Sequence, residues 1–197
     1  MTQPQSDTRT RILELTAGLF AQLGFAAVSM RNIANAAGLT PAALYHHFSD
    51  KVALYDATLE HVYRSRTEAL RSVLDTNGQF SADTLHEFVL AFTKIVAKDK
   101  VFSRLLHREL LDGSAKRMER LSAQVFHDTF TRFEALLKAL APGRDPHLTA
   151  NAMIAVILGH YGFAPIRRSL PGYMKAHDRP DVLANQLVQL VLTGPKQ

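Results

Sequence analysis

The chain has no cysteine. That removes disulfides, thiolate metal sites and cysteine nucleophiles, and leaves no reason to place it in an oxidising compartment. No apolar run approaches the length that spans a bilayer, and residues 1–7 are polar where a signal peptide would be basic and then apolar. These absences predict a cytoplasmic protein without a membrane segment. No stretch of any length alternates apolar and polar residues as a half-buried strand would, and nothing repeats at a fixed period. No nucleotide loop, nucleophile elbow or catalytic dyad is legible, so neither an enzyme nor a cofactor is expected. The nine histidines show no pair on one helical face with a carboxylate partner, which speaks against a metal site.

What is present is 197 residues with 47% hydrophobic content, enough for a substantial core. The net charge of +5 suits a polyanionic partner but is not concentrated at the amino end. There Arg9, Arg11, Arg31 and Lys51 face Asp7, Glu14 and Asp50, so local placement matters more than net charge.

The most informative stretch runs from Ser29 to Phe48. Ser29 can cap a first short helix in which Ile33, Ala34 and Ala37 recur at helical spacing, and Gly38 falls where the chain must leave that helix with positive φ. Leu39 turns back to the core. Thr40 and Pro41 then form a second start signal, a hydroxyl cap followed by a proline whose missing N–H would be unpaired anyway. In the helix so begun, Leu44 and Phe48 face inward. Thr40, Ala42, Ala43, Tyr45, His46 and His47 are left for the outer surface and flanks, where small residues permit close approach and polar tips can meet base edges and phosphates. A generic helical hairpin in a bundle is the competing reading, but it would not require this combination of glycine turn, double capping and polar face.

The segment from Met30 to Lys51 resembles the DNA-binding segment of the TetR (tetracycline-repressor-like) family of bacterial transcriptional regulators. The resemblance is carried by Ile33-Ala34, Ala37-Gly38, Leu44-Tyr45, His47-Phe48 and Lys51 in unbroken register, and it extends back to about Thr8. It covers roughly the first quarter of the chain; beyond it the likeness is architectural. It implies a helix-turn-helix in each subunit of a dimer, with Lys51 as a phosphate-contacting lysine.

The remaining pattern is helical throughout. A first helix from Ser6 or Asp7 carries Ile12, Leu15, Leu19, Phe20 and Leu23 and is closed by Gly24; with Ile33, Leu44 and Phe48, Leu19 and Leu23 are expected to form the small core behind the hairpin. Ser49 as cap and Asp50 on the positive end of the dipole open a long helix to about Leu74. Asn77-Gly78 breaks the chain, and helices follow from Ser81, around Phe102 to Leu111, and from Met118 to Leu140, the last ending at a Pro-Gly turn. The segment from His147 to about Arg168 is apolar nearly all round and should be buried on more than one side. After an irregular link, a last amphipathic helix runs to about Thr193-Gly194-Pro195.

The expected fold is all-α, about nine helices, with a helix-turn-helix DNA-binding domain at 1–52 and a larger ligand-binding and dimerisation domain at 53–197. The expected function is a DNA-binding transcriptional regulator, a ligand-responsive repressor acting as a homodimer on a palindromic operator in double-stranded DNA. The candidate DNA-binding residues are Ser29, Arg31, Thr40, Pro41, Ala42, Ala43, Tyr45, His46, His47 and Lys51. The two C-terminal helices would pair with their copies, as in the family. A largely apolar small-molecule effector would be lined by Phe102, Leu106, His107, Met118, Phe126, Phe130, Met153, Ile157, His160 and Tyr161, a mixture of aromatics, methionines and polar tips. For each of these, plain core packing is the competing reading. The alternative function is a helical small-molecule-binding protein or enzyme whose helix-turn-helix is vestigial.

Overall fold

The computed structural model describes residues 5–76 and 79–193, with side chains from Thr8 onward. The side-chain roles read at Ser6 and Asp7, the break at Asn77-Gly78 and the end at Gly194-Pro195 lie outside the described residues. The helices are α1 (Gln5–Ala27), α2 (Met30–Ala37), α3 (Pro41–His47), α4 (Lys51–Val73), α5 (Ala82–Lys98), α6 (Lys100–Asp112), α7 (Ala115–Leu121), α8 (His127–Leu140), α9 (Pro146–Gly162), α10 (Ala164–Arg167) and α11 (Pro180–Thr193). A π-helical segment, Ser122–Phe126, joins α7 to α8, and a 3-10 turn, Lys175–Asp178, precedes α11. The all-α class expected from the sequence is what forms, with no strand among the described residues. The run from Met118 to Leu140 is one helical stretch interrupted by the π segment, and α10 is a single turn.

The chain divides into two compact units, Met1–Ser65 with Lys100–Val125, and Arg66–Asp99 with Phe126–Gln197. α6 and α7 fall in the first unit with the amino-terminal helices, and the division between the units runs inside α4, the helix that also holds the expected 52/53 boundary.

In the first unit α1 lies against α6 and α2. Its buried stripe runs through Ile12, Leu13, Thr16, Ala17, Phe20 and Ala21. Leu23, expected in the core, is 56% exposed. The face that is buried mixes large residues with Thr16, Ala17 and Ala21, and Leu23 falls off it. The break at Gly24 is as expected: φ 81 and ψ 168 interrupt the helix there, in a region open only to glycine. Thr16 and Thr58, both fully buried, return their hydroxyls to the carbonyls of Ile12 and Leu54 one turn back, which satisfies them without a distant partner.

Behind α4 sits a buried carboxylate. Glu109 on α6 is 5% exposed. It accepts from the Tyr55 hydroxyl at 2.7 Å and from Arg117 Nη1 at 3.1 Å. Arg117 on α7 also donates through Nε to Asp56 at 2.7 Å, and Arg120 reaches the other Asp56 oxygen at 2.6 Å. Burial, and then the bond to Glu109, push the Tyr55 phenol far above its ordinary range, so it remains a donor. The network ties α4, α6 and α7 within one unit.

The second unit is built by α5 packed on α11, α9 and α8, with α8 also against α9. Phe88 and Phe133 stack at 4.3 Å in its interior, among Leu85, Leu136, Met153, Ile157 and Leu187. The helix expected to run to about Arg168 stops at Gly162, because Phe163 takes φ −86 and ψ 1 and Pro165, lacking an N–H, sits in the next turn. The expected burial of α9 on more than one side is not met within the single chain, where one face alone is covered. Ala150, Met153 and Ile157 face the core while Leu148 and Val156 stand 67% and 46% exposed in the single chain. On α11, Leu190 is likewise exposed. No helix among the described residues is long and apolar enough to cross a membrane.

At the end of this unit Asp178 gathers the Tyr173 hydroxyl at 2.8 Å, Arg167 at 2.7 Å and Arg168 at 2.9 Å. The Tyr173 hydrogen bond, then Arg167, hold its carboxyl at about 2, below the unfolded value near 3.9.

Two outcomes follow. Replacing Glu109 by Ala should lower unfolding free energy by about 2 kcal/mol, the scale of hydrogen bonds to charged groups; urea denaturation reads it, and a loss under about 0.5 kcal/mol would remove the network as a stabilising element. Because the Asp178 pKa is depressed on folding, its contribution is complete above about pH 4 and is lost as pH falls toward about 2. The stability gap between the wild type and Asp178→Asn should therefore close over that interval in urea midpoints taken from pH 5 to pH 2.

Candidate nucleic-acid interface

The two short helices are held by the caps that the sequence requires. Ser29 is extended, and its Oγ accepts from the Asn32 amide at 3.1 Å. Gly38 is left-handed, φ 67 and ψ 30, and Leu39 N–H returns to the Ala34 carbonyl at 2.9 Å to close α2. Thr40 Oγ1 accepts from the Ala43 amide at 3.2 Å, with Pro41 in the first turn of α3. A cap of this kind contributes about 1 kcal/mol.

Leu44 and Phe48 are buried with Ile33 and Ala34. Opposite them, Thr40, Pro41, Ala42, Tyr45 and His46 are exposed, and Ala43 and His47 are half-buried on the flanks. Tyr45 is 51% exposed, which leaves the outer face of α3 open to a partner among the described residues. Ser29 and Arg31 are also exposed, at the start of α2.

Two cations brace this hairpin. Arg9 on α1 donates through Nη1 to the His47 carbonyl at 2.9 Å and lies 4.2 Å over the Phe48 ring. It thus satisfies a carbonyl at the C-terminal end of α3, where positive charge is favoured. Lys51 donates to the Val28 carbonyl at 2.8 Å with its ammonium 4.2 Å over the Phe25 ring. The expected phosphate-contacting lysine therefore has a structural bond as well, joining the start of α4 to the loop before α2. Sequence spacing gave no sign of either contact, since both span many residues. At the start of α4 the capping group is Asp50, whose Oδ1 accepts from the Ala53 amide at 2.8 Å, and Ser49 only supports it. The Ala53 N–H holds the Asp50 carboxyl below its ordinary range.

The residues considered as an effector lining are divided. Phe102, Leu106, His107 and Met118 belong to the first unit, and Phe126, Phe130, Met153, Ile157, His160 and Tyr161 to the second. Phe102 meets the Tyr63 ring edge-on at 5.7 Å, and His107 Nδ1 donates to the Ser103 carbonyl at 2.7 Å. Met153 and Ile157 are core. Phe130 meets the His147 ring at 5.3 Å. His160 Nε2 donates to the His177 carbonyl at 2.8 Å, and burial lowers its pKa. Tyr161 keeps a buried hydroxyl that no protein atom accepts from or donates to. Among the described residues no group of three or more His, Asp or Glu could hold a metal ion.

The profile of bacterial regulatory proteins, tetR family, matches residues 12–58, the stretch that holds α2, α3 and their supports. The HTH-type transcriptional repressor KstR2 of Rhodococcus jostii (strain RHA1) is 35% identical over 85 residues, which is 41% of this chain and 42% of that protein. The nucleoid occlusion factor SlmA of Marinomonas sp. (strain MWYL1) is 25% identical over 82% of this chain and 86% of its own. Among solved structures, a TetR-family transcriptional regulator from Bordetella parapertussis 12822 superposes with a TM-score of 0.68 at 25% identity, covering 94% of each chain. With the capped α2–Gly38–α3 hairpin inside the matched residues, the chain carries the DNA-binding segment of the tetR-family regulatory proteins, and its likeness to regulators of that kind continues over the helices beyond.

Proposed function

We propose that the protein is a homodimeric, ligand-responsive repressor that sets α3 of each subunit into successive major grooves of a palindromic operator. The observation that carries this reading is the exposed Thr40–His46 face of a helix whose opposite side is anchored by buried Leu44 and Phe48. Half-sites would lie roughly 34–36 Å apart, one turn of duplex. Thr40, Tyr45, His46 and Lys51 are assigned to phosphates, Ala42, Ala43 and His47 to base edges, and Arg31 to a further contact from α2; Ser29 and Pro41 hold the two helix starts. The Lys51 ammonium has three donors, so its bond to Val28 leaves capacity for a phosphate oxygen. With no arginine or asparagine on the outer face of α3, methyl contacts to thymine and duplex shape would carry much of the selectivity.

Dimerisation is assigned to α9 and α11, whose Leu148, Val156 and Leu190 are apolar and exposed in the single chain. The effector is assigned to the second unit, where Phe126, Phe130, His160 and Tyr161 are neither fully buried nor free of aromatic or polar character. A coupling of about 1–3 kcal/mol between effector and operator would change DNA affinity five- to 150-fold.

Substituting Tyr45 by Ala should weaken operator binding at least about tenfold, measured by fluorescence anisotropy on DNA selected from genomic fragments, while leaving the far-ultraviolet circular dichroism unchanged; equal affinity would refute its role. The wild-type affinity should fall steeply with added salt because phosphate contacts release counterions. A flat salt response would favour a helical small-molecule carrier with a vestigial helix-turn-helix. A charge placed at the proposed dimer face, Val156→Arg together with Leu190→Arg, should convert the dimer to a folded monomer in light scattering. A variant that remains dimeric would exclude α9 and α11 as the interface.

A further inference from the structure

Arg167, on α10 in the second unit, is an arginine with most of its hydrogen-bonding capacity unspent. Its side chain is 16% exposed, and Nη2 donates to Asp178 Oδ1 at 2.7 Å. Its Nε and Nη1 are buried, yet no protein oxygen accepts from them. A guanidinium presents five N–H donors, and those kept from both water and protein acceptors are costly. The Tyr161 hydroxyl, at the end of α9, is in the same condition; the adjoining His160 bonds the His177 carbonyl, next in the chain to the Asp178 that pairs with Arg167. These are unsatisfied donors of one neighbourhood, not scattered defects.

The charges around them do not balance. Asp178 is shared by Arg167 and Arg168 and also accepts from the Tyr173 hydroxyl, while Arg179 is paired with Asp181. Two guanidiniums thus face one carboxylate, an excess of one positive charge, of which the Arg168 share is screened by solvent because that side chain is 56% exposed. His160, packed edge-on against Tyr161 at 5.0 Å, is committed through Nε2 to the His177 carbonyl and supplies no negative charge. A water molecule could accept hydrogen bonds here but could not neutralise the surplus. A singly charged planar acceptor does both: its oxygens can take N–H donors from one edge of the guanidinium and the O–H of the phenol.

We propose that Arg167 and the Tyr161 hydroxyl form a carboxylate-binding site in the second unit, which would make the effector an apolar molecule ending in a carboxylate. The identification of the ligand as an effector rests on the regulatory function proposed above; the anion site itself does not. A carboxylate is favoured over a phosphate because one negative charge cancels the surplus, whereas a dianion would need a second free cation.

The site can be tested with sodium acetate as the probe, titrated at constant ionic strength against sodium chloride into the uniformly ¹⁵N-labelled full-length protein. The Arg167 Nε–Hε resonance is assigned by its loss in Arg167→Lys. It should move downfield with acetate and saturate, and inorganic phosphate at equal ionic strength should move it less. Tyr161→Phe, which preserves shape, should weaken the acetate affinity about threefold to tenfold, the range expected for one hydrogen bond. No saturable shift with acetate overturns the proposal. So does a larger response to phosphate, and so does an Arg167→Lys protein that dissociates to monomers, which would show that the partner subunit supplies the missing acceptor. No DNA is present in the titration, so a failure of operator binding by the same preparation would sink the regulatory reading and leave the carboxylate site standing.

Discussion

A helix of seven residues does not hold its shape in water unaided, because the ordering of its first turn is not recovered over so short a length. Everything that α3 could do on a partner's surface therefore depends on what fastens it from behind. Leu44 and Phe48, each contributing about 1.5–3 kcal/mol on burial, fix which side faces inward. Thr40 satisfies an amide at one end and Arg9 a carbonyl at the other. The turn at Gly38 sets the direction in which α3 leaves α2. The outward residues contribute little to this; they are carried.

The support has a second tier. α4 starts where α3 ends, with Lys51 bonded back to Val28 and Asp50 capping its first turn. One turn further on, Tyr55 and Asp56 enter a charged cluster with Glu109, Arg117 and Arg120. A buried carboxylate of this kind is weak as a source of stability compared with an apolar residue of the same size, but it is demanding about geometry. Its partners must come to fixed places, and they are drawn from α4, α6 and α7. The position of α4 is thus set by directional bonds as well as by packing, which suits an element that bears on α3.

Much of this was legible in the amino-acid sequence because it is local. Ser29, Gly38, Thr40 and Pro41 act over three or four residues, and the inward pair Leu44 and Phe48 follows from helical spacing alone. Contacts made across long stretches of chain were not legible: Arg9 to His47, Lys51 to Val28 and Tyr55 to Glu109 depend on tertiary placement. One of them left a trace. In α6 the apolar spacing of Phe102, Leu105 and Leu106 leads next to Glu109, a charge at a position where the pattern calls for a hydrophobic residue, whereas Leu110 and Leu111 point to solvent, 55% and 83% exposed. Leu23 is exposed because it lies off the face of α1 that Ile12, Leu13, Thr16, Ala17, Phe20 and Ala21 bury, and apolar character alone does not show where that face ends.

The end of α1 sets contrasting limits on how this protein can vary. At Gly24 the backbone adopts φ 81 and ψ 168, a conformation closed to other residues; an added Cβ would also meet the Arg108 guanidinium at 2.7 Å, a flexible tip that can shift, so it is the torsion that rejects every other side chain. Its neighbour Leu23 projects more than half its surface into solvent and is free to drift. Adjacent codons thus differ sharply in mutational tolerance, and lineages descending from this sequence should diversify freely at one of them while the other stays fixed.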